Sequence, residues 1–170
     1  MKKIIFLFTA LLTTFSVYCQ IDKRADTPEA VGTYTLSVLK SLDHTPAKAF
    51  IHKLLTIEEL KAYVEKNVST TESNIKEQIN RLTVTQYNER VTDEYKSLKE
   101  KATDYNIKWN AIEFVDFEYE KEEQEGFEGV NGKLIFKHNE TKYRVKVEAF
   151  LIDDKYIPFI IRQLIQRADD

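Results

Sequence analysis

At Ile107 the apolar residues of this chain change their period. Up to Tyr105 they recur every three to five positions, and beyond Ile107 they alternate. One element cannot serve both patterns, because helical side chains repeat about every 3.6 residues and strand side chains about every 2. The switch therefore divides the chain into a helical first part and a sheet after it. That is an α+β fold rather than alternating βαβ units.

In the second part, Ile107, Trp109, Ala111, Val115, Phe117 and Tyr119 fall on one face of a long first strand, with Glu113 the exception. Gly126, Gly129 and Gly132 cluster in the connection that follows. The next two strands meet at Asn139-Glu140, a credible two-residue hairpin turn. That turn sets a register placing Phe136 opposite Tyr143, Leu134 opposite Val145 and Val130 opposite Ala149, all on one face. Asp153-Asp154-Lys155 reads as a three-residue turn, which brings Leu151, Ala149 and Val147 level with Ile157, Phe159 and Ile161. Pro158 cannot donate to a ladder, so the last strand should be an edge. The expected sheet is a curved four-stranded antiparallel meander with N-terminal helices packed on one face.

The helical part is punctuated by its caps. Thr27-Pro28-Glu29 opens a helix, with Thr as N-cap, Pro in the first turn and Glu against the positive helix end. Val31, Tyr34, Val38, Leu39 and Leu42 make its buried stripe. Thr45-Pro46 repeats the signal ahead of Phe50, Ile51, Leu54 and Leu55. Thr56 and Glu59 form a capping box for a third helix burying Ile57, Leu60, Tyr63 and Val64. Ser69 and Glu72 form another, and a helical stretch runs to Tyr105. It should break at Leu82-Thr83-Val84-Thr85, which is β-branched.

Ahead of all this, Met1-Lys2-Lys3, the apolar run Ile4 to Phe15 and Val17-Tyr18-Cys19-Gln20 have the layout of a secretory signal. Cleavage before Gln20 would remove residues 1–19, leaving a short polar tail at 20–26 and a single domain over 27–170. The expected location is periplasmic or extracellular. Lipidation at Cys19 is the rival, disfavoured by the bulky Tyr18, and the apolar run is too short for a membrane span of about 20 residues. Cys19 is the only cysteine, so the domain has no disulfide. The net charge of −3 becomes more negative once Lys2 and Lys3 leave, which argues against nucleic acid as a partner.

No motif carries chemistry. His44, His52 and His138 are isolated, so neither a metal nor another cofactor is expected. The glycines precede no helix and cannot cradle a phosphate. Asn67-Val68-Ser69 and Asn139-Glu140-Thr141 match a glycan sequon but read more simply as a cap and a turn. Charge is segregated: Glu113, Asp116, Glu118, Glu120, Glu122, Glu123, Glu125 and Glu128 precede Lys133, Lys137, Lys142, Arg144 and Lys146. An acidic strand beside a basic hairpin accounts for this by relieving the repulsion between Lys133 and Lys146 and between Lys137 and Lys142. The alternative is an acidic surface for a basic ligand or cation.

Helices first and a meander last, with Thr27-Pro28-Glu29-Ala30-Val31 at the start and the strand–turn–strand Tyr143 to Ile161 at the end, resembles the NTF2-like (cystatin-like) superfamily. The resemblance implies a sheet wrapped around a helix, sometimes with a pocket, and often dimerisation through the sheet. It also admits isomerases and dehydratases, so fold alone selects no function. The leading expectation is a secreted, non-enzymatic module that binds a protein partner, a second copy or a small apolar ligand. Its patch would be Phe150, Ile152, Tyr156, Pro158 and Ile160, all pointing away from the helices on the outer sheet face. The enzyme alternative uses Glu113 as general base with Tyr34, Tyr87 or Tyr95 as proton donor. A β-bulge near Ala111-Ile112 would instead turn Glu113 to solvent or to a cation of the basic hairpin. An envelope or immunity-type interaction protein is the third reading.

Overall fold

The computed structural model describes residues 22–67, 74–124 and 127–167. The expected signal segment, the Ser69–Glu72 box and Gly126 lie outside the described residues. The fold is α+β: among the described residues, five α-helices precede an open antiparallel sheet of order β1-β2-β3-β4. The helices are α1 (Pro28–Lys40), α2 (Ala47–Ile51), α3 (Ile57–Asn67), α4 (Asn74–Arg81) and α5 (Val84–Asp104). The strands are β1 (Glu113–Gln124), β2 (Phe127–His138), β3 (Thr141–Ile152) and β4 (Lys155–Gln166).

Two of the caps act as the sequence implies, whereas Thr45 does not cap α2: its hydroxyl donates to Ser41 O at 2.8 Å and Pro46 stands at the N-cap without a side-chain bond. Thr27 Oγ1 accepts from the Ala30 N–H at 3.3 Å, and Glu59 closes its box by accepting from the Thr56 N–H at 2.8 Å. The long helical stretch breaks between Arg81 and Val84. The break is a second capping box: Thr83 accepts from the Gln86 N–H, and the Gln86 side chain accepts from the Thr83 N–H. The hydroxyl of a β-branched residue thus starts a new helix where its branching weakens the old one.

Alpha1 lies on the inner face of the sheet. Gly32 is the point of contact, because a Cβ there would stand 2.6 Å from Phe117 Cβ. Below the same ring, Gly132 leaves room in β2, where a Cβ would meet Phe117 Cζ at 2.2 Å. Gly129 and Gly132 therefore sit inside β2 rather than in a connection, and Gly132 admits the aromatic ring that joins helix to sheet.

The first strand starts later than the alternation suggests. Trp109–Ala111 is a 3-10 turn, which buries Trp109 and Ile112 and leaves Ala111 exposed. A bulge between Phe114 and Asp116 then resets the parity, so Phe117 faces inward while Val115 remains 39% exposed.

The β2–β3 hairpin has the expected register, with Phe136 opposite Tyr143, Leu134 opposite Val145 and Val130 opposite Ala149. The β3–β4 turn is shorter than expected. Ile152 pairs with Lys155, so only Asp153 and Asp154 form the loop, both at positive φ (47° and 62°). Leu151 therefore meets Tyr156 and Ala149 meets Pro158, one step away from the three-residue register. An extra residue, Phe159, bulges between the pairs Ala149–Pro158 and Glu148–Ile160, which restores the pair Val147–Ile161. The strand ends as β4 through Gln166, with Gln163 at φ 60°, rather than folding back over the sheet.

Beta4 is an edge, as Pro158 requires, but the edge is covered. Ala25 exchanges two 2.8 Å backbone hydrogen bonds with Tyr156, and the Leu55 N–H donates to Pro158 O at 2.7 Å.

Candidate recognition surface

The expected patch is not exposed as a unit. Tyr156 and Pro158 pair with Leu151 and Ala149, which places them on the inner face. Ile152 and Ile160 share the outer face with Phe150, yet they are buried, Ile160 to 1% exposure. The cover is an aromatic chain. Tyr63 on α3 meets Phe127, which meets Phe150, which meets Phe159, which stacks on Tyr87 of α5 at 5.1 Å between centroids. The helices thus reach around the β4 edge and close the outer face at its β3–β4 hairpin end. The two-residue turn is what moves Tyr156 and Pro158 inward, and the Phe159 bulge returns Ile160 to the outer face.

The supposed catalytic set is dispersed. Glu113 begins β1 in the open, its carboxylate 3.1 Å from Lys137 Nζ. That hydrogen bond and the charge behind it hold the Lys137 ammonium above its ordinary range. Its outward position comes from the late strand start and the bulge at Val115, not from one at Ala111-Ile112. The three tyrosines pin one segment of backbone instead. Tyr34 donates to Lys53 O at 2.7 Å, and Tyr95 donates to Thr45 O at 2.8 Å. Tyr87 Oη lies 2.6 Å from Leu55 O and 3.0 Å from Phe159 O. Burial raises the Tyr34 and Tyr87 phenols well above the usual tyrosine range, with Asp22 and Glu59 respectively adding to the effect. Each phenol is a donor to a carbonyl that would otherwise be orphaned around α2.

Among the described residues, no three His, Cys, Asp or Glu side chains converge as metal ligands. His138 is a structural acceptor, its Nε2 taking the Lys108 N–H at 3.3 Å.

Beyond the aromatic cover the outer face opens and becomes polar. Cross-strand pairing sets Glu118, Lys133, Lys146 and Arg162 abreast on the four strands. The neighbouring row is Glu120, Asn131, Glu148 and Ile160. Apart from the buried Ile160, these two rows line a groove of about 430 Å3. On the other side stand Asp116, Ile135, Arg144 and Ile165.

The pairing of charges in these rows is unequal. Arg162 is bonded to Glu148 through one terminal nitrogen, and its Nε is buried without a partner. Glu118 stands opposite Lys133, but its carboxylate meets Arg167 at 3.2 Å. Among the described residues, neither Lys133 nor Lys146 has an ion-pair partner. The acidic strand does lie beside the basic hairpin, and it neutralises Lys137 without neutralising the central two lysines.

The hairpin turn alone sets Lys133 opposite Lys146, so that pair was readable from the sequence. Arg162 falls opposite Lys146 in the expected three-residue register too, but it does so in the structure only because the Phe159 bulge offsets the shorter turn.

Comparison with known proteins finds no matching family model, no similar curated protein and no similar solved structure. Among the described residues, no helix is long and apolar enough to cross a membrane.

Proposed function

We propose that this chain is an exported, non-enzymatic binding module of NTF2-like type, and that its recognition surface is the open part of the outer sheet face. One observation carries the reading. Two lysines directly opposite each other on paired strands repel, and among the described residues neither makes an ion pair, even though Glu118 stands across from Lys133. Such an arrangement costs stability unless something outside the chain completes it. The basic start and short apolar run at residues 1–15 support export, and the order of helices before meander supports the NTF2-like type.

The enzyme reading finds less support. Glu113 is exposed and ion-paired, while Tyr34, Tyr87 and Tyr95 are committed to backbone carbonyls in the segment 45–55 or beside it. A general base and its donor must lie within reach of one substrate, and these residues serve separate elements.

Photo-crosslinking in the producing cells tests the proposal. A crosslinking residue at position 131 or 146 should capture a partner, which includes a second copy of the chain, whereas one at exposed Lys96 on α5 should not. Equal capture from all three positions, or from Lys96 alone, would remove the outer face as the recognition surface.

A further inference from the structure

We infer that the row Lys133–Lys146–Arg162 is a carboxylate subsite, and that its occupant is an acidic peptide segment of a partner protein. The inference rests on the outer face being the recognition surface and adds the chemistry of what it recognises. Paired strands lie about 4.8 Å apart, so the side chains of Lys133 and Lys146 rise from adjacent positions and can close on one carboxylate from both sides. Arg162 on the next strand brings a planar guanidinium beside them, with one terminal nitrogen held by Glu148, the other without a partner among the described residues, and Nε buried beneath. Guanidinium suits carboxylate because its donors match the two oxygens. The groove of about 430 Å3 over this row has room for acidic side chains of an extended segment.

The surroundings select among anionic partners. Asp116, Glu118, Glu120 and Glu122 run down β1 along the border of the row. Their column repels a long uniform polyanion or a flat anionic membrane lying across the sheet, while a short peptide can follow β2 and β3, whose one acid lining the groove, Glu148, is paired with Arg162. Lys142 and Arg144 extend the positive track along β3 away from the helix-covered end. The net charge of −3 adds long-range repulsion against nucleic acid, leaving attraction only at close range over this row.

Nuclear magnetic resonance titration of the isotope-labelled chain with a peptide of consecutive glutamates tests this. Saturable shifts should be confined to residues 131–133, 146–148 and 160–162, and salt should weaken them. Lys133→Gln with Lys146→Gln should reduce affinity at least about tenfold while the melting temperature of the free chain holds or rises, because the repulsion between the two is removed, each lost charged contact contributing roughly that factor. Glu120→Gln should tighten binding. A glutamine peptide, inorganic phosphate, single-stranded DNA and anionic vesicles serve as comparison arms. Absence of saturable shifts, shifts elsewhere, unchanged affinity in the double variant, or tighter binding of DNA or vesicles than of the glutamate peptide would each overturn the inference. If crosslinking finds a partner on the outer face while the glutamate peptide does not bind, the recognition surface stands and the carboxylate subsite falls.

Discussion

Phe117 and Gly132 are packed so closely that a single methyl group on the glycine would overlap the ring, 2.2 Å from Cζ. On its other side the ring meets Gly32 of α1, where a Cβ would stand 2.6 Å from Phe117 Cγ. The aromatic side chain is therefore held between two backbones and cannot swing away from either. This sets how closely α1 approaches the sheet.

Gly132→Ala should destabilise the fold by about 1–3 kcal/mol, the usual cost of overpacking a filled core. The same substitution in a Phe117→Leu background should cost less, because the smaller side chain frees the space. Urea unfolding of the parent chain, the two single variants and the double variant measures the coupling. Equal costs in both backgrounds would mean that the ring is not the obstacle.

Thr35 in α1 is fully buried, and its hydroxyl has no hydrogen-bond partner. Thr35→Val keeps the shape and removes the stranded polar group, so stability should rise by about 1 kcal/mol. The urea midpoint should move up with an unchanged slope. A loss of stability would show that the hydroxyl is bonded after all.

Alkali should unfold the protein through its tyrosines. The phenols of Tyr34, Tyr87 and Tyr156 are all raised from the ordinary 10.0, Tyr156 to about 12 by burial and by its hydrogen bond to Glu128. A raised folded value means that the native state holds its proton where the unfolded chain has released it. The stability due to these neutral phenols is complete below pH 10 and is lost as pH rises through the folded values. Denaturant midpoints should therefore fall steadily above pH 10, and Tyr87→Phe should flatten that slope while lowering stability at neutral pH. An unaltered slope would separate Tyr87 from the alkaline transition.

Asp153 and Asp154 both occupy the left-handed region, the geometry of a two-residue turn in which glycine and asparagine are favoured. Asp153→Asn with Asp154→Gly should stabilise the β3–β4 hairpin by about 1 kcal/mol, since a residue with a Cβ adopts this conformation at a cost of that order. Differential scanning calorimetry reads the shift. A lower melting temperature would indicate that the aspartate carboxylates hold the turn through contacts of their own.

The parts readable from the sequence are those set by neighbours in the chain. Thr27, Thr56 and Pro28 mark helix starts because capping is a contact across three residues. Asn139-Glu140 sets the β2–β3 register because a tight turn leaves no freedom to the strands it joins. The opposed pair Lys133–Lys146 follows from that register, so half of the proposed subsite was legible without coordinates. Tertiary structure decided the rest. Local alternation does not reveal an inserted residue, and the bulges at Val115, Phe159 and Gln163 each change which side chains share a face. The two-residue turn sends Tyr156 and Pro158 to the inner side, and the Phe159 bulge then returns Ile160 and Arg162 to the outer one. Burial of Ile152 and Ile160 depends on Tyr63 and Tyr87 arriving from helices far away in sequence, and hydrophobic pattern alone does not say which of two apolar faces such helices will cover. Charge behaves likewise. The sequence places acids beside bases, but only the folded chain pairs Glu118 with Arg167 and leaves Lys133 and Lys146 without an ion pair among the described residues, because ion pairing is settled by where the ends of long side chains meet.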